Sequence, residues 1–271
     1  MNNNFDNILL WALPASGKSE ILTHIRGLTA EQRATLHIGN LVEIDDYPRV
    51  ASYFEIDVER ERNGKERVFT QKQTYDDGGF KDPELWDDLD QHLNERYEKA
   101  LLRKPDIHAT STIMLECARG GAVDAPFPLP HGYQQTIRNF TSTIIDKAVV
   151  LYVKVPPEES RRKNDERYDP KDHHGILSHR VPTQVMLRDY GCDDAEWMAE
   201  EARKQGHDGF IPQPTTGLWI PYAVLDNTAD LTSFVRKTDL PAAERETSTA
   251  RLTAALENAL GPLFERYAGR Q

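Results

Sequence analysis

The chain has 271 residues, 38% of them hydrophobic and 28% charged, which suits an ordinary globular protein with a sizeable core. Its net charge of -11 argues against a broad basic surface for duplex nucleic acid, because such a surface needs many Lys and Arg contacts. No apolar run reaches the roughly 18 residues of a membrane span, and the first residues lack the pattern of a signal peptide. With Cys117 and Cys192 as the only cysteines, we expect a cytoplasmic protein with no membrane association and no disulfide framework.

A buried-type strand, a loop of small residues and a helical pattern follow one another in residues 8–26. Residues 12–19 read ALPASGKS, which matches the phosphate-binding pattern G-x-x-x-x-G-K-[ST] except that Ala12 replaces the first glycine. If that position needs a positive φ, the Cβ of Ala12 costs about 1 kcal/mol. Backbone N–H groups of such a loop converge on phosphates, Lys18 reaches the outer phosphates, and the Ser19 hydroxyl helps to hold Mg²⁺. The predicted nucleotide-contacting residues are Pro14, Ala15, Ser16, Gly17, Lys18, Ser19 and Glu20.

Paired acids end the second predicted strand, in residues 41–48. Ligands of parallel α/β sheets lie beyond the carboxyl ends of the strands, which is where Asp45 and Asp46 fall. Either carboxylate can take a proton from an attacking hydroxyl, and Asp45 can also hold the metal. The alternative is that one of them caps the helix that begins near Pro48.

A polar, irregular stretch in residues 49–82 predicts an insertion on the acceptor side, with a helix over 50–60. The apolar stripe of residues 83–102 predicts an amphipathic helix whose aromatic residues belong to the core. The third strand, residues 109–116, ends in Glu116. Glu116 and the nearby Arg119 are expected to bind a polar acceptor, unless they form an exposed ion pair beside a Gly-Gly turn.

The strongest strand pattern, residues 148–155, follows a helix predicted over 133–145. Beyond the strand, residues 156–182 are expected to form a lid, since small phosphate-loop kinases place arginines there to neutralise the transferring phosphoryl group. The candidate arginines are Arg161, Arg162 and Arg167. The same charges also fit a solvated helix face. His173, His174 and His179 give only a weak zinc signal, because no cysteine ligands accompany them.

The remainder predicts a helix over 193–205, a turn-rich loop over 206–217, a fifth strand over 219–227 and a C-terminal helix over 241–267. No internal repeat occurs, and no linker separates two cores. We therefore expect the α/β fold of a P-loop NTPase in a single domain over residues 1–271. Its five-stranded parallel sheet is flanked by helices, with inserted cap and lid segments.

Several blocks together resemble adenylate-kinase-like P-loop kinases, including phage kinases that phosphorylate 5-hydroxymethyluracil bases in DNA. The blocks are ALPASGKSE at 12–20, EIDDYP at 43–48, LECARG at 115–120, SRRKN at 160–164, ILSHRVP at 176–182 and PYAVLDN at 221–227. The resemblance spans most of the chain, and Ala12 is its departure from the pattern. It implies phosphoryl transfer from ATP with Mg²⁺, in a host cytoplasm if a phage encodes the chain. By analogy with such folds, Asn227 is expected to contact the adenine.

The leading hypothesis is a kinase acting on a hydroxyl of a nucleotide-like acceptor, free or presented in DNA. The alternative is a P-loop ATPase or switch protein with water as acceptor, and a third class is a nucleic-acid-binding module with an inactive loop. Strong single-strand binding needs clustered basic and aromatic residues, whereas the arginine-rich stretch 161–167 also contains acids. The sequence leaves the acceptor and the oligomeric state open.

Overall fold

A computed structural model of the chain describes residues 3–74, 76–167 and 180–270. The strands are β1 (Asn7–Trp11), β2 (Asn40–Asp45), β3 (Ser111–Cys117), β4 (Ala148–Lys154), β5 (Phe210–Pro212) and β6 (Trp219–Asp226). The helices of the described part are α1 (Lys18–Gly27), α2 (Ala30–Thr35), α3 (Tyr47–Arg62), α4 (Leu85–Arg103), α5 (Tyr133–Asn139), α6 (Ser142–Ile145), α7 (Pro157–Glu166), α8 (Thr183–Arg188), α9 (Ala195–Lys204) and α10 (Ala242–Arg270).

One mixed sheet organises the fold, with the strand order β2-β3-β1-β4-β6-β5. The first five strands in that order run parallel, and β5 pairs antiparallel with β6 through Ile211 and Ile220. The prediction of five parallel strands is therefore incomplete: β1, β2, β3, β4 and β6 run parallel, but the structure adds β5 as a sixth, antiparallel strand. The sixth strand is a three-residue edge strand within the stretch 206–217 that was assigned to a loop.

Alternate residues of each central strand enter different hydrophobic cores. On β1, Leu9 and Trp11 belong to one cluster, whereas Ile8 and Leu10 belong to the other. The first cluster includes residues of α4, α5, α6 and α9, and the second includes residues of α1 and α10. The sheet therefore has helices on both faces. This explains why its central strands are apolar without interruption.

The helix predicted over 133–145 is interrupted, and the structure has two short helices there. The break comes where Phe140 is extended, and Asn94 of α4 holds both sides of it. The Asn94 side chain accepts a hydrogen bond from the Thr141 N–H at 3.1 Å and donates one to the Asn139 carbonyl at 2.8 Å. These bonds satisfy backbone groups that a continuous helix would pair internally.

The C-terminal helix α10 is long but amphipathic. Leu252, Leu256, Leu260 and Leu263 are fully buried, and they belong to the core on one side of the sheet. Charged residues such as Arg251 and Glu257 alternate with them. Among the described helices, none has the length and apolarity to cross a membrane.

The predicted acceptor-side insertion consists of α3 and the segment 63–82, which Asp57 holds together. The buried Asp57 carboxylate accepts hydrogen bonds from the N–H groups of Val68, Phe69 and Thr70 at 2.6–2.8 Å and from the Thr70 hydroxyl at 2.9 Å. Burial raises the pKa of Asp57, but these four hydrogen bonds outweigh it and hold the pKa below the ordinary value. Asp57 thereby fixes the segment that carries Phe80 against α3.

We expect Asp57→Asn to destabilise the protein by about 2 kcal/mol or more, because the amide leaves part of this donor set without an acceptor. Urea unfolding at pH 7 measures the effect. The depressed pKa also gives a pH signature, because its stabilisation is present above the unfolded pKa and lost as pH falls through the folded one. Glu98→Gln on the exposed surface of α4 is the control. Equal stability of both variants would contradict the prediction.

Candidate functional site

The loop between β1 and α1 has the backbone geometry of a phosphate cradle. Gly17 caps α1 with φ 102°, and Ala15 has φ 58°. Both are left-handed conformations, which turn successive N–H groups toward one side of a loop. The strain considered for Ala12 does not arise, because Ala12 has no positive φ and packs in the core. The non-glycine residue that carries strain in this loop is Ala15.

Two polar groups of the loop are aimed inward. The Lys18 ammonium is mostly buried and donates a hydrogen bond to the Ala12 carbonyl at 3.0 Å, so the side chain folds back over the loop. The Ser16 hydroxyl is buried and has no hydrogen-bond partner among the described residues. A buried hydroxyl without a partner is unfavourable unless a ligand or water satisfies it. Both observations fit an anionic ligand in this loop.

The loop is braced from behind by α7 and by the chain after β6. The Asn227 amide donates to the Ser16 carbonyl at 2.8 Å and to the Thr232 hydroxyl at 2.9 Å. The Ser160 hydroxyl of α7 donates to the Pro14 carbonyl at 2.7 Å. A Cβ on Gly17 would lie 2.5 Å from the Thr232 hydroxyl, so the glycine is required by packing as well as by φ. Asn227 is fully buried and supports the loop, whereas the sequence analysis gave it a direct contact with adenine.

A cavity of about 1020 Å³ opens beside this loop and extends to the acceptor-side insertion. The cavity brings together most of the predicted site residues. Those lining it are Pro14, Ala15, Ser16, Gly17, Lys18, Ser19, Glu20, Asp45, Asp46, Glu116, Arg119 and Arg167. Its volume is large enough for two small molecules side by side.

The two adjacent acids have different environments. Asp46 is buried and its carboxylate forms an ion pair with Arg119 at 2.6 Å. Asp45 is only partly buried and accepts a hydrogen bond from the Tyr47 N–H at 2.9 Å. Burial and the neighbouring Asp46 raise the pKa of Asp45 to about 6, against the Tyr47 hydrogen bond and Lys18. Asp46 is therefore held by its ion pair with Arg119, whereas Asp45 lines the cavity with a raised pKa, a combination that is common at functional sites.

Arg119 joins three elements. Its guanidinium is 1% exposed and pairs with Asp46 at the start of α3 and with Asp90 of α4 at 2.7 Å. It also donates to the Ala118 carbonyl and lies 5.6 Å from the Trp86 ring centroid. These contacts use most of the N–H donors of Arg119 and leave few for a ligand. Arg119 therefore holds the cavity wall in place. Both sequence interpretations, acceptor binding and an exposed ion pair, omitted the buried partner Asp90.

Glu116 faces the same edge of the sheet as Asp45. The two residues are direct neighbours across β2 and β3, and Leu10 of β1 is the neighbour on the other side. Burial raises the pKa of Glu116 to about 8, with Lys18 opposing the shift and Asp45 adding to it. A metal cation bound beside Glu116 and Asp45 would add to the positive charge of Lys18 and favour the charged forms of both carboxylates.

Glu116→Gln is expected to stabilise the protein at alkaline pH. A folded pKa near 8, above the reference value of 4.5, means that the folded state binds more protons between these values. Stability is then lost as pH rises through that window, and glutamine removes the loss. At pH 8.5, above both values, the gain over wild type should reach about 3–5 kcal/mol, because the two pKa values lie more than three pH units apart and each unit is worth about 1.4 kcal/mol; at pH 5 it should stay below about 1 kcal/mol. Urea unfolding at both pH values measures it, and a gain independent of pH would contradict it.

The three arginines that were predicted for the lid have different environments in the structure. Arg162 is exposed and pairs with Glu159 and Glu166, and Arg161 lies 3.6 Å from Glu158. Neither lines the cavity. The alternative of a solvated helix face describes Arg162, whereas the Arg161 side chain is 24% exposed and its Nη1 is buried without a hydrogen-bond partner among the described residues.

Arg167, at the end of α7, lines the cavity. Its Nε is buried and finds no hydrogen-bond partner in the part of the chain that the structure describes. Burial lowers the pKa of Arg167 to about 10, with Glu20 opposing and Arg236 adding to the shift. Glu20 itself pairs with Arg236 at 2.9 Å. A buried guanidinium with donors left over is suited to an anion. Arg180, a further cavity residue, pairs with Asp165 at 2.6 Å.

Metal ligation at this site rests on few protein atoms. Ser19 and Asp45 both line the cavity, and oxygen ligands of this kind suit Mg²⁺, which keeps several waters. Within residues 3–74, 76–167 and 180–270, no group of three or more His, Cys, Asp or Glu side chains forms a metal site. The histidines at 173, 174 and 179 and the block 176–179 lie outside the described residues.

The residues that sequence reasoning did not assign to the site are aromatic. Phe54, Phe80, Trp86 and Tyr190 line the same cavity as the phosphate loop. All four are partly exposed, although the aromatic residues of α4 were predicted as core. The signal available in the sequence was the i,i+4 spacing of Val50 and Phe54 on α3, which places both on one helix face.

Comparisons with known proteins give distant structural likenesses. No family model matches the chain, and no curated protein matches it. The crystal structure of APE1195 is similar with a TM-score of 0.35 and 14% identity, covering 95% of this chain and 98% of that one. A structure from the PezAT chromosomal toxin-antitoxin system of Streptococcus pneumoniae has a TM-score of 0.35 and 12% identity, covering 95% and 87%. At these values the likenesses assign neither a family nor a function.

Proposed function

We propose that this chain is an ATP-dependent kinase of the adenylate-kinase-like P-loop type, in a single domain with an acceptor-side insertion and a lid. The observation that carries the proposal is the shared cavity, which is lined both by the loop of residues 14–19 and by the Asp45 carboxylate, whose pKa is raised. The strand order β2-β3-β1-β4-β6, with the loop on the central strand, supports it. Ligands of parallel sheets bind at such strand ends.

The loop residues fit a bound nucleotide. Backbone N–H groups of residues 14–19 would hold the phosphates, Lys18 would exchange its bond to Ala12 for a phosphate oxygen, and the Ser16 hydroxyl would gain the partner it lacks. Ser19, together with Asp45, would hold Mg²⁺. When bound, Mg²⁺-ATP supplies the phosphoryl group that is transferred.

The remaining roles belong to side chains of the cavity. Asp45 accepts the proton of the attacking hydroxyl, for which its raised pKa of about 6 is suitable, since an effective base has a pKa near the working pH. Arg167 neutralises the negative charge that develops during transfer, because its buried guanidinium retains donors. Arg119, Asp46 and Asp90 keep the wall in place.

The acceptor in this proposal is a hydroxyl on a nucleotide-like molecule, including the 5-hydroxymethyl group of a modified pyrimidine in DNA. The aromatic lining of the cavity supports a ring-bearing acceptor. Bacteriophage DNA modification is the finer form of the proposal and rests on the resemblance of the sequence blocks described above.

Label transfer tests the function. The protein is incubated with Mg²⁺ and ATP labelled on the γ-phosphate, together with free nucleosides, nucleotides, and hydroxymethylated single- and double-stranded DNA. Label recovered on an acceptor supports the kinase. Release of labelled phosphate at the same rate with every acceptor contradicts the kinase and indicates an ATPase or switch that uses water.

A further inference from the structure

Part of the cavity lining consists of aromatic rings that contact one another. The Phe80 and Trp86 rings meet edge to face with centroids 5.0 Å apart, and Trp86 meets Tyr190 in the same way at 5.7 Å. Phe54 and Val50 add the face of α3 that lies toward the cavity. We refer to Phe54, Phe80, Trp86 and Tyr190 as the aromatic wall.

The aromatic wall remains partly exposed inside the cavity. Tyr53, Leu85 and Leu89 form a small buried core, and Phe80 and Trp86 of the wall pack on that core while remaining partly exposed themselves. The Arg119 ion pairs with Asp46 and Asp90 fix Trp86 from behind. A rigid, uncovered aromatic surface beside a polar site is suited to a flat ring, because stacking contributes about 1–3 kcal/mol per ring.

The charges around the wall do not favour a phosphate. Of the described cations that line the cavity, Lys18 and Arg167 belong to the phosphate-loop side, and Arg119 and Arg180 are paired with carboxylates. Arg62, on the last turn of α3, is the remaining cation.

Two acids lie on the same helix as Phe54 of the wall. Glu55 and Glu59 follow Phe54 on α3 and line the cavity, whereas Asp189, which precedes Tyr190, is ion-paired with Arg188 at 3.0 Å. A phosphate monoester carries nearly two negative charges at neutral pH, so it would be repelled by the Glu55 and Glu59 carboxylates.

We propose that the aromatic wall selects an acceptor with a flat, uncharged ring and disfavours acceptors that carry their own phosphate monoester. The inference rests on the proposed kinase function and deepens it by naming the acceptor class. Nucleoside monophosphates are then poor acceptors, and the preferred hydroxyl belongs to a nucleoside or to a ring presented by a polymer.

Equilibrium binding tests the selectivity. 5-Hydroxymethyl-2′-deoxyuridine and its 5′-monophosphate are titrated into the full chain with a non-hydrolysable ATP analogue and Mg²⁺. We expect the neutral nucleoside to bind about tenfold more tightly. A single-stranded oligonucleotide carrying the same nucleoside distinguishes a free ring from one in a polymer. Equal or tighter binding of the monophosphate, or no binding of any probe, overturns the proposal.

A pair of matched variants tests the aromatic contact. Phe54→Ser should weaken binding of the nucleoside about tenfold while binding of the ATP analogue and the unfolding temperature stay close to wild type. Leu102→Ser is the control, because Leu102 is an apolar residue on α4 that is 81% exposed and lies outside the cavity. Equal weakening by both variants contradicts the assignment.

A second pair tests the charge argument independently of the wall. The double variant Glu55→Lys, Glu59→Lys should improve binding of the monophosphate about tenfold relative to the nucleoside. The double variant Glu95→Lys, Glu98→Lys makes the same charge change on exposed residues of α4 that do not line the cavity. An equal improvement from both pairs would indicate a general charge effect and overturn the selectivity argument.

Label transfer separates this inference from the kinase proposal. If the monophosphate is labelled in preference to the nucleoside, the aromatic wall has been misinterpreted and the kinase function stands. If the nucleoside binds selectively and no acceptor is ever labelled, the kinase function fails and the selectivity stands.

Discussion

Lys18→Ala should lower phosphoryl transfer at least about a hundredfold and leave the fold intact. The ammonium is the fixed positive charge within the phosphate loop, and loss of one preorganised charge donor costs about 10²–10³ in turnover. Among the described residues the ammonium donates one hydrogen bond, to the Ala12 carbonyl, so its removal costs little stability. Initial rates of label transfer from ATP and a thermal unfolding curve measure the two effects.

Lys154→Ala is the matched control for this substitution. Lys154 also ends a parallel strand, but its ammonium pairs with Glu196 at 2.7 Å and does not line the cavity. The control should retain wild-type turnover. Unchanged turnover of Lys18→Ala would contradict the proposed role of Lys18 and of the phosphate loop in phosphoryl transfer.

Asp45→Asn and Asp46→Asn are expected to fail in different ways. Asp45→Asn should lower kcat by about 10²–10⁴, the usual contribution of a general base, with stability close to wild type. Asp46→Asn should cost about 1–3 kcal/mol of unfolding free energy, because it leaves buried Arg119 with a weaker acceptor. Steady-state kinetics and urea unfolding of both variants check this. Equal kcat values in the two variants would contradict the assignment of the base.

The pH dependence of the wild-type enzyme gives a further test of Asp45. A base must be deprotonated, and the pKa of Asp45 is raised to about 6 without metal; bound Mg²⁺ favours the charged carboxylate, so kcat should fall with decreasing pH at or below that value. This decrease of kcat at low pH should be absent in Asp45→Asn, because the variant has no carboxylate at this position. If the same decrease persists in the variant, another group is responsible for it.

The central sheet could be predicted because its strands carry their signal locally. Residues 148–155 and 219–227 are long apolar runs, and β4 and β6 occupy almost the same ranges. The edge strand β5 could not be predicted from three residues that include Pro212, since its pairing with Trp219 depends on the turn between them. The break between α5 and α6 was missed for a similar reason, because Asn94 that stabilises it lies on α4.

The candidate site could be predicted where a motif defines the backbone and not where partners come from distant parts of the chain. The pattern around Gly17 identified the loop, although its strain lies at Ala15 and Ala12 is relaxed. For Arg119, no local pattern could indicate Asp90, which is 29 residues away in sequence. The roles of Arg161 and Asn227 depended in the same way on which face of each element is buried.

Arg119 is buried and forms ion pairs with both Asp46 and Asp90, so it links the start of α3 to α4. Asn227 and Ser160 support the phosphate loop through separate hydrogen bonds. The two parts of the cavity are therefore held by separate sets of contacts. If the proposed kinase function is correct, we expect substitutions on α3 to change the alcohol that is accepted while use of the nucleotide is preserved, which makes this helix a practical starting point for redesign.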